Sequence, residues 1–277
     1  MSEQAQHIYQ QICKAIETDQ IKLPTLPEVA IKVKEAVEND NQTAGDIADL
    51  LAQDTGLSAR LLQLANSPLY RSKNKIDNLQ MAITRLGLRI VKDLVVMLAI
   101  KQAFKATNAE VEIQFRKAWQ TSIDIAAACR VLAQGQKEMN TEQAVLAGLI
   151  HNIGSLPIIE LAERQPQLFE SFSLEQTIEE IQSQLGEKIL SFWQFPQSLI
   201  DAASQWNQFQ RQHSGEADYV DLIQAALLHT EHKPCNTPTD WSTIPAIDQL
   251  GLDPDALAFN ELAQTQLEEA RASLMQI

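Results

Sequence analysis

The residues best suited to chemistry stand at the end of an apolar stretch, in the run Val145-Leu-Ala-Gly-Leu-Ile-His-Asn-Ile-Gly154. A histidine followed by a carboxylate at such a helix end would offer an imidazole and an anionic oxygen to a divalent cation, which acidifies water and clamps phosphoryl oxygens. Here the second position is Asn152, which keeps the shape of an aspartate and loses its charge. For His151 two readings stand: a hydrogen-bonded core histidine at a helix end, which its apolar surroundings favour, and a metal ligand. The other histidines are His7, His213, His229 and His232. The i, i+3 spacing of the last two puts them on one face of a helix end. No third His follows nearby, and imidazoles in a last turn suit the negative end of the helix dipole, so capping is favoured over zinc. Ser58, Ser67 and Ser122 lack a nucleophile elbow, and Cys13, Cys129 and Cys235 lack a base partner. There is no glycine-rich phosphate loop.

The elements that must position these groups are helices, because nearly every segment has helical periodicity and no alternating pattern is long enough for a strand. Pro27 opens a helix over 28–38, Thr43 caps one over 44–52, and Asp77 or Asn78 precedes one over 79–86 that stops at Gly87. The apolar segment 88–104 and the amphipathic segment 111–132 are expected to be central to the core. Shorter helices are predicted over 141–152, 156–163, 174–185, 187–193, 197–206 and 216–229, then a proline-bearing link from Lys233 to Pro245 and a last helix after Asp253-Pro254. The expected fold is all-α: an N-terminal helical lobe over 1–108, a second helical lobe over 109–232, and a linker with a C-terminal helix over 233–277.

A chain of 277 residues with 45% apolar residues can bury a large core. Three cysteines, far apart and odd in number, indicate neither a disulfide framework nor a zinc ribbon. The polar start, Met1 to Gln11, lacks the pattern of a signal peptide, and the most apolar run, Leu94 to Ile100, is far below the roughly 20 residues of a membrane span, so a cytoplasmic protein without membrane contact is expected. The net charge of −14 disfavours nucleic acid as a partner. It is unevenly spread: residues 1–137 carry 17 basic and 15 acidic side chains, residues 138–277 carry 5 and 21. Arg60, Arg71, Lys73, Lys75, Arg85, Arg89 and Lys92 face only Asp77 in their stretch. They form either a solvated surface or a strip that binds an anion or a partner.

Three runs occur in order: Leu23-Pro-Thr-Leu-Pro-Glu-Val-Ala30, Asp54-Thr-Gly-Leu-Ser-Ala-Arg-Leu-Leu-Gln-Leu-Ala-Asn-Ser-Pro68 and Ala82-Ile-Thr-Arg-Leu-Gly87. Together they resemble the HDOD family, bacterial regulatory domains related to the HD and HD-GYP phosphohydrolases, over roughly residues 20–230. One departure is Thr55-Gly56, where the family commonly has a proline after the aspartate. The resemblance implies a multi-helix HDOD-like bundle with an HD-like lobe, and it also assigns the ligand slots. Trp119-Gln-Thr-Ser122 resembles a Trp-x-His-Ser run, making Thr121 the stand-in for a histidine. Counting from Gly186 and Trp193 puts Gln182 in the next slot, and after Trp193-Gln-Phe-Pro196 a His-His pair is replaced by Trp206 and Asn207. Near the expected closing aspartate stand Ala225 and Ala226. Thr121, His151, Asn152, Gln182, Trp206 and Asn207 would therefore surround a vestigial pocket, with Trp206 filling the emptied space. No catalytic residue, metal or cofactor is expected. The resemblance implies a non-catalytic bacterial signalling module whose partner is a signalling protein or a small anionic ligand; the alternative is a metal-dependent phosphohydrolase with an atypical ligand set.

Overall fold

In a computed structural model, which describes residues 1–18, 28–38, 42–70, 75–103, 109–169, 173–230, 232–254 and 261–275, no strand occurs among the described residues. The α-helices are α1 (Glu3–Glu17), α2 (Glu28–Glu38), α3 (Ala44–Ala52), α4 (Thr55–Ala65), α5 (Leu79–Leu86), α6 (Leu88–Ala103), α7 (Ala109–Ala133), α8 (Thr141–Ile150), α9 (Ser155–Arg164), α10 (Leu174–Phe192), α11 (Gln197–Gln205), α12 (Tyr219–Leu228), α13 (Pro245–Gln249) and α14 (Glu261–Met275). The fold is all-α. The Leu23 to Pro27 run, Arg71 and Lys73 lie outside the described residues.

The chain divides into two compact units, Met1–Thr25 with Phe104–Asn260, and Leu26–Ala103 with Glu261–Ile277. This differs from the three consecutive segments 1–108, 109–232 and 233–277 expected from the sequence. The N-terminal stretch read as merely polar is an amphipathic helix capped by the Ser2 hydroxyl. Its Ala5, Ile8, Ile12 and Ala15 bury against Ile158 and Leu161 of α9 and Ile181 and Leu185 of α10. At the other end, α14 buries Ala270 and Leu274 and packs by the Pro68–Tyr70 turn of the second unit.

In that second unit, α2 packs on α3 and α6, α3 on α5, and α4 on α5 and α6. Its helix starts follow the capping chemistry of the sequence. Thr43 and Asp46 form a reciprocal capping box, Asp54 accepts from the Leu57 N–H just where Thr55-Gly56 replaces the family's proline, and Asn78 caps α5. Asn66 ends α4. Its Nδ2 donates to the carbonyls of Leu62 and Ile76 and its Oδ1 accepts from the Ile76 N–H, each at 2.8 Å. This closes a small core of Ala65, Ile76 and Ala82.

The first unit is organised around α8, which is buried from Ala144 to Ile150 because it has no polar face to turn outward. Helices α7, α11 and α12 surround it. The approach to α7 is close enough that a Cβ on Gly148 would lie 2.5 Å from Ala126 Cα. Thr141–Arg164 is long and apolar enough for a membrane span by composition, yet 94% of its most apolar window is buried inside the protein. The two helices predicted over 174–185 and 187–193 are one, α10, running through Gly186. A Cβ there would sit 3.3 Å from Ala203 Cβ of α11, and close packing outweighs the intrinsic glycine penalty of about 1 kcal/mol.

Gly154, which starts α9, is pressed against α10: a Cβ there would overlap the Gln182 carbonyl oxygen and lie 2.5 Å from the Gly186 nitrogen. Both neighbours are backbone and cannot swing aside. Gly154→Ala is therefore expected to cost about 3 kcal/mol or more, lowering the circular-dichroism melting temperature by at least about 6 °C.

Candidate functional site

A cavity of about 340 Å³ in the first unit is bordered by α7, α9, α10 and the segment after α12. Thr121, His151, Asn152, Gln182 and Trp206 all line it. Asn207 is not among the lining residues; its carbonyl accepts from Asn236 Nδ2 at 2.9 Å. Trp206 is buried with its ring edge-on to His151, the centroids 5.5 Å apart at 85°. It fills part of the space, and a cavity remains.

His151 Nδ1 lies 2.6 Å from the Gly148 carbonyl, so Nδ1 carries the hydrogen and Nε2 keeps a lone pair. Burial pushes the imidazole pKa down to about 4; the Gly148 bond opposes this and the charge of His232 adds to it. His151 is therefore neutral near pH 7. The neighbouring Asn152, only 6% exposed, uses both ends of its amide: Oδ1 accepts from the Ser122 hydroxyl at 2.7 Å and Nδ2 donates to the Ala118 carbonyl at 2.8 Å. A carboxylate could not make the second bond. The side chain that would hold a metal in a His-Asp pair instead joins the end of α8 to α7.

Among the lining residues that the sequence did not place at the pocket is His232. The shared helix face assigned to His229 and His232 does not form, because α12 ends at Leu228, with His229 as its C-cap. Burial, aided by Lys233, pushes the His229 pKa down to about 4, so it is no imidazolium facing a helix dipole. His232 instead reaches α7, where its Nε2 lies 2.8 Å from Asp124 Oδ2 and its Nδ1 lies 3.4 Å from the Thr121 hydroxyl. The carboxylate takes the Nε2 hydrogen and so fixes the orientation of the ring. Asp124 and Thr121, i and i+3 on α7, were legible as a shared face, but nothing local pointed to a histidine more than a hundred residues away.

Gln182 is 6% exposed and makes no side-chain hydrogen bond. The charged groups stand further out: Lys117, Glu175 and Lys233 are exposed and Glu179 is half-buried. Lys233 lies 4.6 Å over the Trp241 ring.

Among the described residues, one group of three metal-type ligands gathers, away from the cavity: His213, Asp218 and Asp221. It is already spoken for. Arg211 pairs with both carboxylates, His213 Nε2 lies 2.8 Å from Asp221, and Asp218 with Asp221 forms the capping box of α12. In the second unit, Lys75 lies 3.5 Å from Asp77 and Lys92 lies 3.9 Å from Asp93, whereas Arg85 and Arg89 are exposed and Arg60 is half-buried.

The HDOD domain family model matches residues 23–209. A curated relative, an uncharacterized protein of Treponema pallidum (strain Nichols), is 24% identical over 194 residues, covering 65% of this chain and 36% of its own length. The chain thus spans about a third of that relative. Among solved structures, a "Putative metal-dependent phosphohydrolase" from Shewanella amazonensis SB2B superimposes with TM-score 0.83 at 28% identity, covering 99% of this chain and 100% of its own. An HDOD domain protein with unknown function from Geobacter sulfurreducens has TM-score 0.66 at 21% identity, covering 96% and 98%. A "Putative signal transduction protein" from Marinobacter aquaeolei VT8 has TM-score 0.63 at 22% identity, covering 99% and 65%. The last two establish likeness of fold.

Two outcomes follow for the paired residues. Asn152→Asp, which turns a carboxylate oxygen on the Ala118 carbonyl, is expected to lose about 1–3 kcal/mol in urea titrations. Because the His151 pKa is lowered on folding from 6.5 to about 4, its contribution is present above pH 6.5 and is lost as acid protonates the unfolded chain first. Stability should fall by about 2 kcal/mol from this group between about pH 7.5 and 5, and His151→Gln should flatten that part of the profile.

Proposed function

The chain belongs to the HDOD domain family, and from that premise we propose that it is a non-catalytic regulatory module of bacterial signalling that binds a small ligand beside His151 and passes occupancy to a partner protein. The observation that carries this is the hydrogen bonding of Asn152. With its oxygen taken by Ser122 and its nitrogen by Ala118, the position serves helix packing and has no charge to offer a cation. Thr121 and Gln182 are likewise neutral, and Trp206 occupies space where a ligand side chain would stand. What remains has the size of a small-molecule site, within the roughly 300–1,000 Å³ of such pockets. The exposed Arg85 and Arg89 suit docking of an acidic partner surface, a role that belongs to the second unit alone.

A second reading, a metal-dependent phosphohydrolase with an atypical ligand set, is supported by the name of the Shewanella protein and by two imidazoles on one cavity. Against it stands the weakness of a site built from neutral ligands without a carboxylate on the metal. Elemental analysis of protein purified without chelator separates the two, together with an assay of bis(p-nitrophenyl) phosphate hydrolysis in added Mn²⁺. The expected result is metal far below one per chain and hydrolysis at the level of the buffer. Near-stoichiometric Mn, Fe, Ni or Zn with turnover abolished in His151→Ala would sink the non-catalytic reading.

A further inference from the structure

We propose that the cavity beside His151 takes an uncharged planar ring bearing an amide-type edge, an N–H next to a carbonyl or ring-nitrogen acceptor, in preference to a phosphate. This deepens the small-ligand reading above and rests on it. Three features of the cavity set the ligand's chemistry.

The inner wall both donates and accepts. His151 Nδ1–H is spent on Gly148, leaving Nε2 as an acceptor, and His232 is anchored through Nε2 on Asp124. Between the helices that hold them, α10 contributes the Gln182 amide, more than nine-tenths buried, lining the cavity and without a hydrogen-bond partner. A carboxamide carries a donor and an acceptor in one plane at fixed spacing, and its bidentate complement is another donor–acceptor edge, the way Gln and Asn side chains read the edge of an adenine. The Gln182 amide opens onto the cavity, so a ligand edge can pair with its donor and its acceptor together.

The charges lie outside and balance. Lys117 and Lys233 face Glu175 and Glu179 at the mouth, two of each sign. No Lys or Arg stands among the buried lining residues, so a phosphate would lose its water without the matched charge that such a side chain supplies. Ile159, Ile178, Leu227 and the Trp206 ring supply apolar lining, which suits a flat hydrophobic face, and the remaining polar groups there, Gln114, Thr121, Asn152 and Ser155, are uncharged. A nicotinamide-sized molecule fits the available space and is expected to bind in the millimolar range or tighter.

The test is calorimetric titration of the full chain with nicotinamide and with uracil, compared with nicotinate, inorganic phosphate and Mn²⁺. The neutral probes should bind, nicotinamide at least about tenfold more tightly than its carboxylate twin. Gln182→Leu should weaken them about tenfold or more while its melting temperature stays close to that of the parent, since the amide makes no hydrogen bond within the protein. Gln182→Glu, which keeps the shape and changes the edge, should weaken them equally. Tighter binding of nicotinate or phosphate, failure of both neutral probes, or unchanged affinity in both Gln182 variants would overturn the ligand class and leave the cavity reading standing. Stoichiometric Mn²⁺ held by His151 would overturn both.

Discussion

The side chain of Asn152 has one donor group and one acceptor, and both are committed to α7: the acceptor to Ser122, the donor to the Ala118 carbonyl. Because the position is buried, that commitment is close to obligatory. A carboxylate would be left with an oxygen against a carbonyl and a charge without a partner, a far larger cost than one hydrogen bond. The apolar character of α8 and the bare Gly148 bring α7 and α8 close enough for this exchange. Helix packing and the absence of a charge at position 152 are therefore one fact seen from two sides.

Once the charge is gone, the neighbours are free to be neutral. His151 is held uncharged by burial, Gln182 and Thr121 supply amide and hydroxyl, and Trp206 closes over His151. His232 enters from beyond α12 and takes its orientation from Asp124. The outcome is a polar cavity whose buried lining carries no carboxylate, lysine or arginine. Elsewhere, where ionisable groups do gather, as at Arg211, His213, Asp218 and Asp221, they neutralise one another and fasten the start of α12.

Much of this was legible in the sequence because its cause is local. Thr43, Asp54 and Asn78 cap the helices they precede, and Asn66 terminates α4 through its own side chain. Thr121, His151, Asn152, Gln182 and Trp206 line one cavity, as their motif positions implied. What was hidden depends on tertiary contact. The helix α1 is marginal by composition and is stabilised by burying one stripe on α9 and α10. Gly186 reads as a break and is instead the close point of α10 with α11. Asn207 shares a motif with Trp206 but falls past the end of α11, and His232 acquires its role only from a carboxylate more than a hundred residues away.

The central claim is that His151, its neutral tautomer set by Gly148, and His232, anchored on Asp124, face a cavity that takes up no cation. Two-bond proton–nitrogen NMR of the histidine rings near pH 7, before and after equimolar Zn²⁺, tests it most directly. The account predicts His151 as the neutral Nδ1–H tautomer and His232 with its hydrogen on Nε2, neither spectrum moving when Zn²⁺ is added. A joint displacement of His151 Nε2 and His232 Nδ1 on adding the metal would contradict it.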